Sequence, residues 1–187
     1  YQLRDYLKII GRGHIRHHIT YHDLTPFAGE EPFVSIHIPS YNEEPEMLIH
    51  TIKCVTNLDY TNYELIIIEN NTRDEKVWKP VEKFVQELGN PRVRFYHFDE
   101  LDGYKSGALN KALELTDPRA EIIGLLDADY CVKPDWLRMT IGLFSENKIA
   151  AIQCPQANDR RDATAFQKIM CYELDLFYKQ GMIIRNA

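Results

Sequence analysis

Asp127 and Asp129 stand two residues apart, directly after the apolar run Glu121–Leu126. Two ionised carboxylates this close repel each other unless a counter-charge lies beside them. A hard divalent cation such as Mg2+ or Mn2+ answers that need. It takes oxygen ligands, typically one or two carboxylates, and completes its shell with substrate phosphate oxygens. The competing reading is a pair of solvated loop acids, and short Asp-x-Asp strings are common. Placement at the tip of a hydrophobic strand is what favours the metal.

Three further polar segments could serve the same ligand. Asp102–Asn110 reads Asp-Gly-Tyr-Lys-Ser-Gly-Ala-Leu-Asn and opens a helical stretch. Its glycines permit close backbone approach, helix N-terminal amides favour anions, and Lys105 adds a full positive charge. The segment lacks the order and spacing of a P-loop. Pro39–Glu44 combines a proline, a hydroxyl, Tyr41 and the acids Glu43 and Glu44. It suits a nucleobase or ribose, or equally a helix cap built on Ser40 or Asn42. Glu69 heads Glu-Asn-Asn-Thr, offering an acceptor among ordinary turn residues.

These segments need elements to position them, and the hydrophobic pattern supplies those. Phe33–Pro39, Tyr63–Glu69, Val93–Phe98, Glu121–Leu126 and Ile149–Gln153 read as strands. Between and after them, Glu46–Asn57, Lys76–Leu88, Lys105–Thr116, Trp136–Ser145 and Ala163–Gly181 carry helical periodicity. Near-continuous apolar strands such as Tyr63–Glu69 imply cover on both faces. The alternation predicts an α/β fold with a doubly wound, mostly parallel sheet flanked by helices. In such sheets ligands bind beyond the carboxyl ends of the strands, and each polar segment above follows a strand.

Composition bounds the function. Net charge is -6, from 22 basic and 28 acidic residues, with no basic stripe for nucleic acid. No apolar run reaches the roughly 20 residues that span a bilayer. Cys54, Cys131, Cys154 and Cys171 form no CxxC pair and no zinc spacing, so buried free thiols in a reducing compartment are expected. His14, His17, His18 and His22 read as a solvated basic connector rather than a metal site. With Arg12 and Arg16 they could also meet lipid headgroups. Residues 1–31 form a lead-in with a short helix over Leu3–Ile10, and 32–187 form the main domain. The aromatic helix Ala163–Gly181 is expected to pack into a core, with an interaction surface as the alternative.

With the four segments in order, residues 32–187 resemble the GT-A fold of glycosyltransferase family 2, nearest the cellulose-synthase-like bacterial membrane β-glucan synthases. The stretches are VSIHIPSYNEE (34–44), ELIIIENNTRD (64–74), GYKSGALN (103–110), IIGLLDADY (122–130) and AAIQCPQ (150–156). The resemblance implies an inverting hexosyltransferase domain that binds a UDP-sugar, by default UDP-glucose, with Mg2+ or Mn2+ for polysaccharide synthesis. Pro39, Tyr41 and Glu43 would line the uridine pocket. Glu69 would stand where the family has a base-reading aspartate, one methylene shorter. Lys105 would lie by the diphosphate, Asp127 would touch nucleotide-sugar and metal, and Asp129 would hold the metal. Gln156 would sit near a donor or acceptor sugar.

The family's later Thr-Glu-Asp and Gln-x-x-Arg-Trp motifs are not in this sequence. The general base, the acceptor-glycan site and the transmembrane helices are therefore expected beyond residue 187, and the chain alone is expected not to make polymer. The resemblance places the full-length protein at the cytoplasmic face of the bacterial inner membrane, with this part soluble. Two rivals stay open. A haloacid-dehalogenase-like phosphotransferase also uses Asp-x-Asp at a strand end, but on its first strand. A non-catalytic regulatory module would bind no metal-dependent nucleotide.

Overall fold

A computed structural model describes residues 24–145, 149–154 and 164–177. The lead-in helix, the histidine cluster with Arg12 and Arg16, and Gln156 lie outside them. Residues Pro26–Gly142 form one compact unit, while the described residues from Leu143 onward belong to a second. Each is taken by itself.

The first unit holds strands β1 (Val34–Ser40), β2 (Tyr63–Asn70), β3 (Val93–Phe98) and β4 (Ile122–Leu125). Helices α1 (Pro45–Thr56), α2 (Glu75–Leu88), α3 (Tyr104–Leu115) and α4 (Trp136–Ile141) alternate with them. The sheet order is β3-β2-β1-β4, with every pairing parallel. This is the α/β architecture expected, and its boundaries fall within a residue or two of the periodicity at most elements.

Side chains along a strand alternate between faces, and the core divides accordingly. Val34, Ile36, Ile38, Leu65 and Ile67 join Leu48, Ile52, Val55, Val81 and Leu137 in one cluster. Ile66 and Ile68 point the other way, against Ala108 and Ala112 of α3. That second face changes character at β1, where it is polar. Ser35 and His37 are fully buried there and Glu64 nearly so.

The polar face is closed by a dense set of hydrogen bonds. Glu64 Oε1 accepts from Ser35 Oγ at 2.7 Å and from the Asp117 amide at 2.9 Å. Its other oxygen pairs with Arg94, whose guanidinium also donates to the Leu115 carbonyl at 3.0 Å. His37 Nε2 lies 2.9 Å from both Ser35 Oγ and Thr116 Oγ1. Those hydroxyls already donate elsewhere, to Glu64 and to the Ala112 carbonyl. Nε2 must therefore carry the proton, which leaves Nδ1 a buried acceptor with no partner among the described residues. The carboxyl end of α3 is thus pinned to the middle of the sheet.

The structure corrects several expectations. β4 is not a buried central strand. It is the edge of the described sheet, with Ile123 39% and Leu125 60% exposed. Residues 149–153 form no strand; they are largely exposed and lack the buried pattern that a covered strand requires. Helix Trp136–Ser145 tightens to 3-10 geometry after Ile141. The expected pool of free thiols also fails in part. Cys54 on α1 and Cys131 after β4 form a disulfide, their Cα atoms brought to 5.5 Å by a fold contact spanning 77 residues of sequence. Cys154 is free but exposed, and Cys171 is a buried free thiol as expected.

In the second unit, α5 (Ala165–Leu176) leaves Phe166, Ile169, Met170 and Tyr172 exposed rather than buried in a core. No helix among the described residues is long and apolar enough to cross a membrane.

The polar face generates two predictions. Glu64→Leu strands Arg94, Ser35 and the Asp117 amide, and urea unfolding should show a loss of about 2–3 kcal/mol. The second concerns pH. Burial holds the His37 imidazole below the ordinary histidine range, with Arg94 lowering it further and Glu64 opposing. The unfolded chain takes up this proton near pH 6.5, and the folded chain does so only at lower pH. Stability from neutral His37 is therefore complete above about pH 6.5 and declines below it, by at most about 1.4 kcal/mol per pH unit. His37→Gln should unfold with a shallower acid slope than the unsubstituted chain between about pH 7 and pH 5.5. Equal slopes would remove His37 from the acid response.

Candidate active site

The carboxyl ends of β1, β2 and β3 are tied into one rim by the residues that leave them. Asn42, with a φ of 53°, donates its amide to Thr72 Oγ1 at 2.8 Å. Asn71, with a φ of 63°, exchanges a pair of bonds with Leu101. Its Nδ2 donates to the carbonyl at 2.9 Å and its Oδ1 accepts from the amide at 2.6 Å. Asparagine tolerates the left-handed region better than most residues, because its short side chain bonds locally. The rim encloses an open cleft of about 670 Å³, lined by Tyr41, Asn42, Arg73, Asp74, Asp99 and Asp102 among others.

The helix after β1 starts without a side-chain cap. Pro45 occupies its first turn after Glu44, and neither Ser40 nor Asn42 caps it. The capping alternative for Pro39–Glu44 is therefore not what the structure shows. Tyr41 projects, 61% exposed, into the cleft rim, whereas Pro39 is buried in β1.

The α3 N-terminus is the second component. Gly103 has a φ of 89° and Tyr104 a φ of 52°, so the chain turns sharply into the helix. A Cβ on Gly107 would stand 1.8 Å from the Asp102 carbonyl oxygen, so only glycine lets this turn close. No side chain caps α3, and Tyr104, Lys105 and Ser106 are exposed. The first amides of the helix are thus available to an anion.

The third component follows β4. The Tyr130 amide donates to the Asp127 carbonyl at 3.1 Å, closing a tight turn through Ala128 and Asp129. Thr51 of α1 donates to the Ala128 carbonyl at 2.7 Å and holds the turn from behind. Asp127 pairs with Lys105, joining the α3 N-terminus to the Asp-x-Asp turn. Glu43 lies close enough to feel both acids. Burial raises its carboxyl above the ordinary range, and Asp129 and Asp127 push it further the same way. Asp127, Asp129 and Glu43 thus share one electrostatic neighbourhood, in which Lys105 is paired to Asp127. Such an oxygen-rich set fits Mg2+ or Mn2+.

The predicted residues therefore divide. Glu43, Lys105, Asp127 and Asp129 come together, and Tyr41 lines the adjoining cleft. Glu69 is turned inward and only 1% exposed. Its carboxylate accepts from Thr72 Oγ1, and its other oxygen lies 2.7 Å from His97 Nδ1. His97 in turn stacks on Trp78 at 4.0 Å between centroids. Neither His97 nor Trp78 carries a chemical signature in the sequence, and Thr72 reads there only as an ordinary turn residue. The parallel register of the folded sheet sets His97 directly beside Glu69.

Comparison with known proteins identifies the family. The model for Glycosyl transferase family 2 matches residues 35–186. A beta-monoglucosyldiacylglycerol synthase of Nostoc sp. is 33% identical over 163 residues, covering 85% of this chain and 34% of that protein. The cellulose synthase catalytic subunit [UDP-forming] of Pseudomonas fluorescens is 30% identical over 129 residues, 67% of this chain and 16% of that protein. The chain thus spans about a third or less of the length of these relatives.

Among solved structures, the mannosyltransferase PcManGT of Pyrobaculum calidifontis, in complex with GDP-Man and Mn2+, superposes with a TM-score of 0.59 at 22% identity. That match covers 71% of this chain and 39% of the other. S. aureus TarS 1-349 in complex with UDP-GlcNAc gives a TM-score of 0.50 at 15% identity, covering 67% and 37%. These two likenesses concern the fold, which is that of GT-A glycosyltransferases. On the extent of the family match and the identity to its relatives, the chain belongs to glycosyl transferase family 2.

Proposed function

We propose that this chain is the donor-binding part of an inverting hexosyltransferase, taking a UDP-sugar, by default UDP-glucose, together with Mg2+ or Mn2+. The observation that carries this reading is the convergence of Asp127, Asp129 and Glu43 beside Lys105 at the open end of the α3 helix. A diphosphate needs such a place, with helix amides and a lysine on one side and carboxylates able to share a cation on the other. The nucleoside would occupy the adjoining cleft, with Tyr41 beneath it. Pro39 shapes the strand end behind Tyr41, and Glu69 acts through Thr72 to set the rim.

In the transfer, an acceptor hydroxyl attacks the anomeric carbon as the bond to the diphosphate oxygen breaks, and a carboxylate general base takes the hydroxyl proton. Lys105 is freed from Asp127 to meet the charge that develops on the leaving group. Bound Mg2+ or Mn2+ would supply Lewis-acid stabilisation of that same charge. Asp127 and Asp129 would hold it, and Asp127 would also touch the donor.

The choice of UDP and glucose draws support from the names of two relatives, a monoglucosyl-lipid synthase and a UDP-forming synthase. A glycan or glycolipid acceptor and a membrane-associated full-length protein belong to the same proposal. The haloacid-dehalogenase alternative draws no support from the family match, and its motif belongs on a first strand rather than on β4. A purely regulatory module would not need the shared carboxylates.

Calorimetric titration of UDP and of GDP, each with and without Mn2+, tests the reading. UDP should bind with metal and at least tenfold more weakly without it, whereas equally absent binding in a folded chain would overturn it. Asp129→Ala should erase the metal dependence. Lys105→Ala removes a charge-assisted contact of about 1.5–3 kcal/mol and should weaken UDP binding roughly 10- to 150-fold.

A further inference from the structure

Among the described residues, His50, Cys54 and Cys131 bring their ligand atoms within 4.8 Å of one another, and the donor site uses none of them. His50 and Cys54 are four residues apart on α1 and so share a face. His50 Nε2 lies 3.7 Å from Cys54 Sγ, and Cys131 is disulfide-bonded to Cys54. All three side chains are reachable from solvent, since His50 and Cys131 are exposed and Cys54 is half-buried.

The Cys131 loop is held over α1 independently of its sulfur. Ahead of Cys131, Thr51 donates to the Ala128 carbonyl at 2.7 Å. Beyond it, the Asp59 amide donates to the Pro134 carbonyl at 2.7 Å. Opening the disulfide therefore leaves both sulfurs and the imidazole close together.

We propose that these residues form a second metal site, in which Cys54, Cys131 and His50 bind a thiophilic divalent cation such as Zn2+ when the cysteines are reduced. Tetrahedral zinc with Zn–N of about 2.05 Å and Zn–S of about 2.3 Å separates its nitrogen and sulfur ligands by about 3.6 Å. The His50–Cys54 spacing already matches this, and rotation of the exposed Cys131 side chain opens room for the ion. Two thiolates and one imidazole leave a fourth position for water. Thiolates select a soft ion, so this site and the all-oxygen Asp127/Asp129 site draw on different metals.

The disulfide is the oxidised, metal-free form of the same site. A dithiol reductant converts one form to the other. Its thiolate attacks the Cys54–Cys131 bond, the reductant ends as a disulfide, and two electrons and two protons pass to the cysteine pair. Metal binding then releases the two thiol protons to solvent. Nothing in this site depends on the donor-site reading.

The test uses the whole chain, reduced with a dithiol, freed of reductant without oxygen, and titrated with Co2+. A thiolate-to-cobalt charge-transfer band should saturate at about one equivalent and vanish when Zn2+ is added. Cys54→Ser and Cys131→Ser should each abolish it, His50→Ala should weaken Co2+ binding at least tenfold, and Asp129→Ala should leave it unchanged. No band from protein whose thiols titrate as reduced would overturn the proposal. So would a full band from folded Cys131→Ser, whose thiolates would then come from Cys154 and Cys171. A second readout needs no variant. Zn2+ should protect Cys54 and Cys131 of the reduced chain from alkylation, and equal labelling with and without Zn2+ overturns the site as well.

Discussion

A single buried carboxylate organises this domain. Glu64 gathers Ser35 of β1, Arg94 of β3 and the Asp117 amide beyond α3, so it joins two strands and a helix end to its own strand. An ionised group in such a place is costly unless every lone pair is used. The arrangement is specific for that reason, because another seating of α3 on the sheet would strand the charge. Fixing the carboxyl end of α3 also aims its amino end, where Lys105 and the uncapped amides lie. The placement of Lys105 and of the helix's first amides is thus set from the opposite end of a 12-residue helix.

The same logic explains which parts of the molecule were legible in the amino-acid order. β1, β2 and β3 announced themselves because apolar runs bounded by turn residues have few other uses. α2 did so because its apolar residues repeat at helical spacing and Gly89, which lies in the left-handed region, ends it. Asp127 and Asp129 were legible as chemistry because paired acids after an apolar strand need a reason. Neighbours distant in sequence were not legible. The apolar pattern of Ile122–Leu125 does not distinguish a central strand from an edge. The run at 149–153 has strand-like residues but no buried position to occupy.

Glu69 shows the limit most sharply. Its type and its place at a strand end suit a base-reading acceptor, yet its contacts are to Thr72 and His97, inside the rim. Whether an acid points outward or inward depends on what its strand neighbours offer, and here the neighbour is a histidine backed by Trp78. The cysteines fail for a similar reason. Their spacing along the chain carries no information about a contact made by two elements that meet only in the finished fold.

The parallel order β3-β2-β1-β4 has a kinetic meaning as well. β1 and β2 meet across one helical crossover, but β1 and β4 join Val34 to Ile122, about 90 residues away. Closing so long a loop carries an entropic cost that the contact itself must offset, and non-local parallel pairing is slow. The cleft at the ends of β1 to β3 draws on shorter loops than the strand that carries Asp127 and Asp129. The acidic turn rides on the strand with the longest closure in the described sheet, so Asp127 and Asp129 stand beside Lys105 only when β1 and β4 are paired.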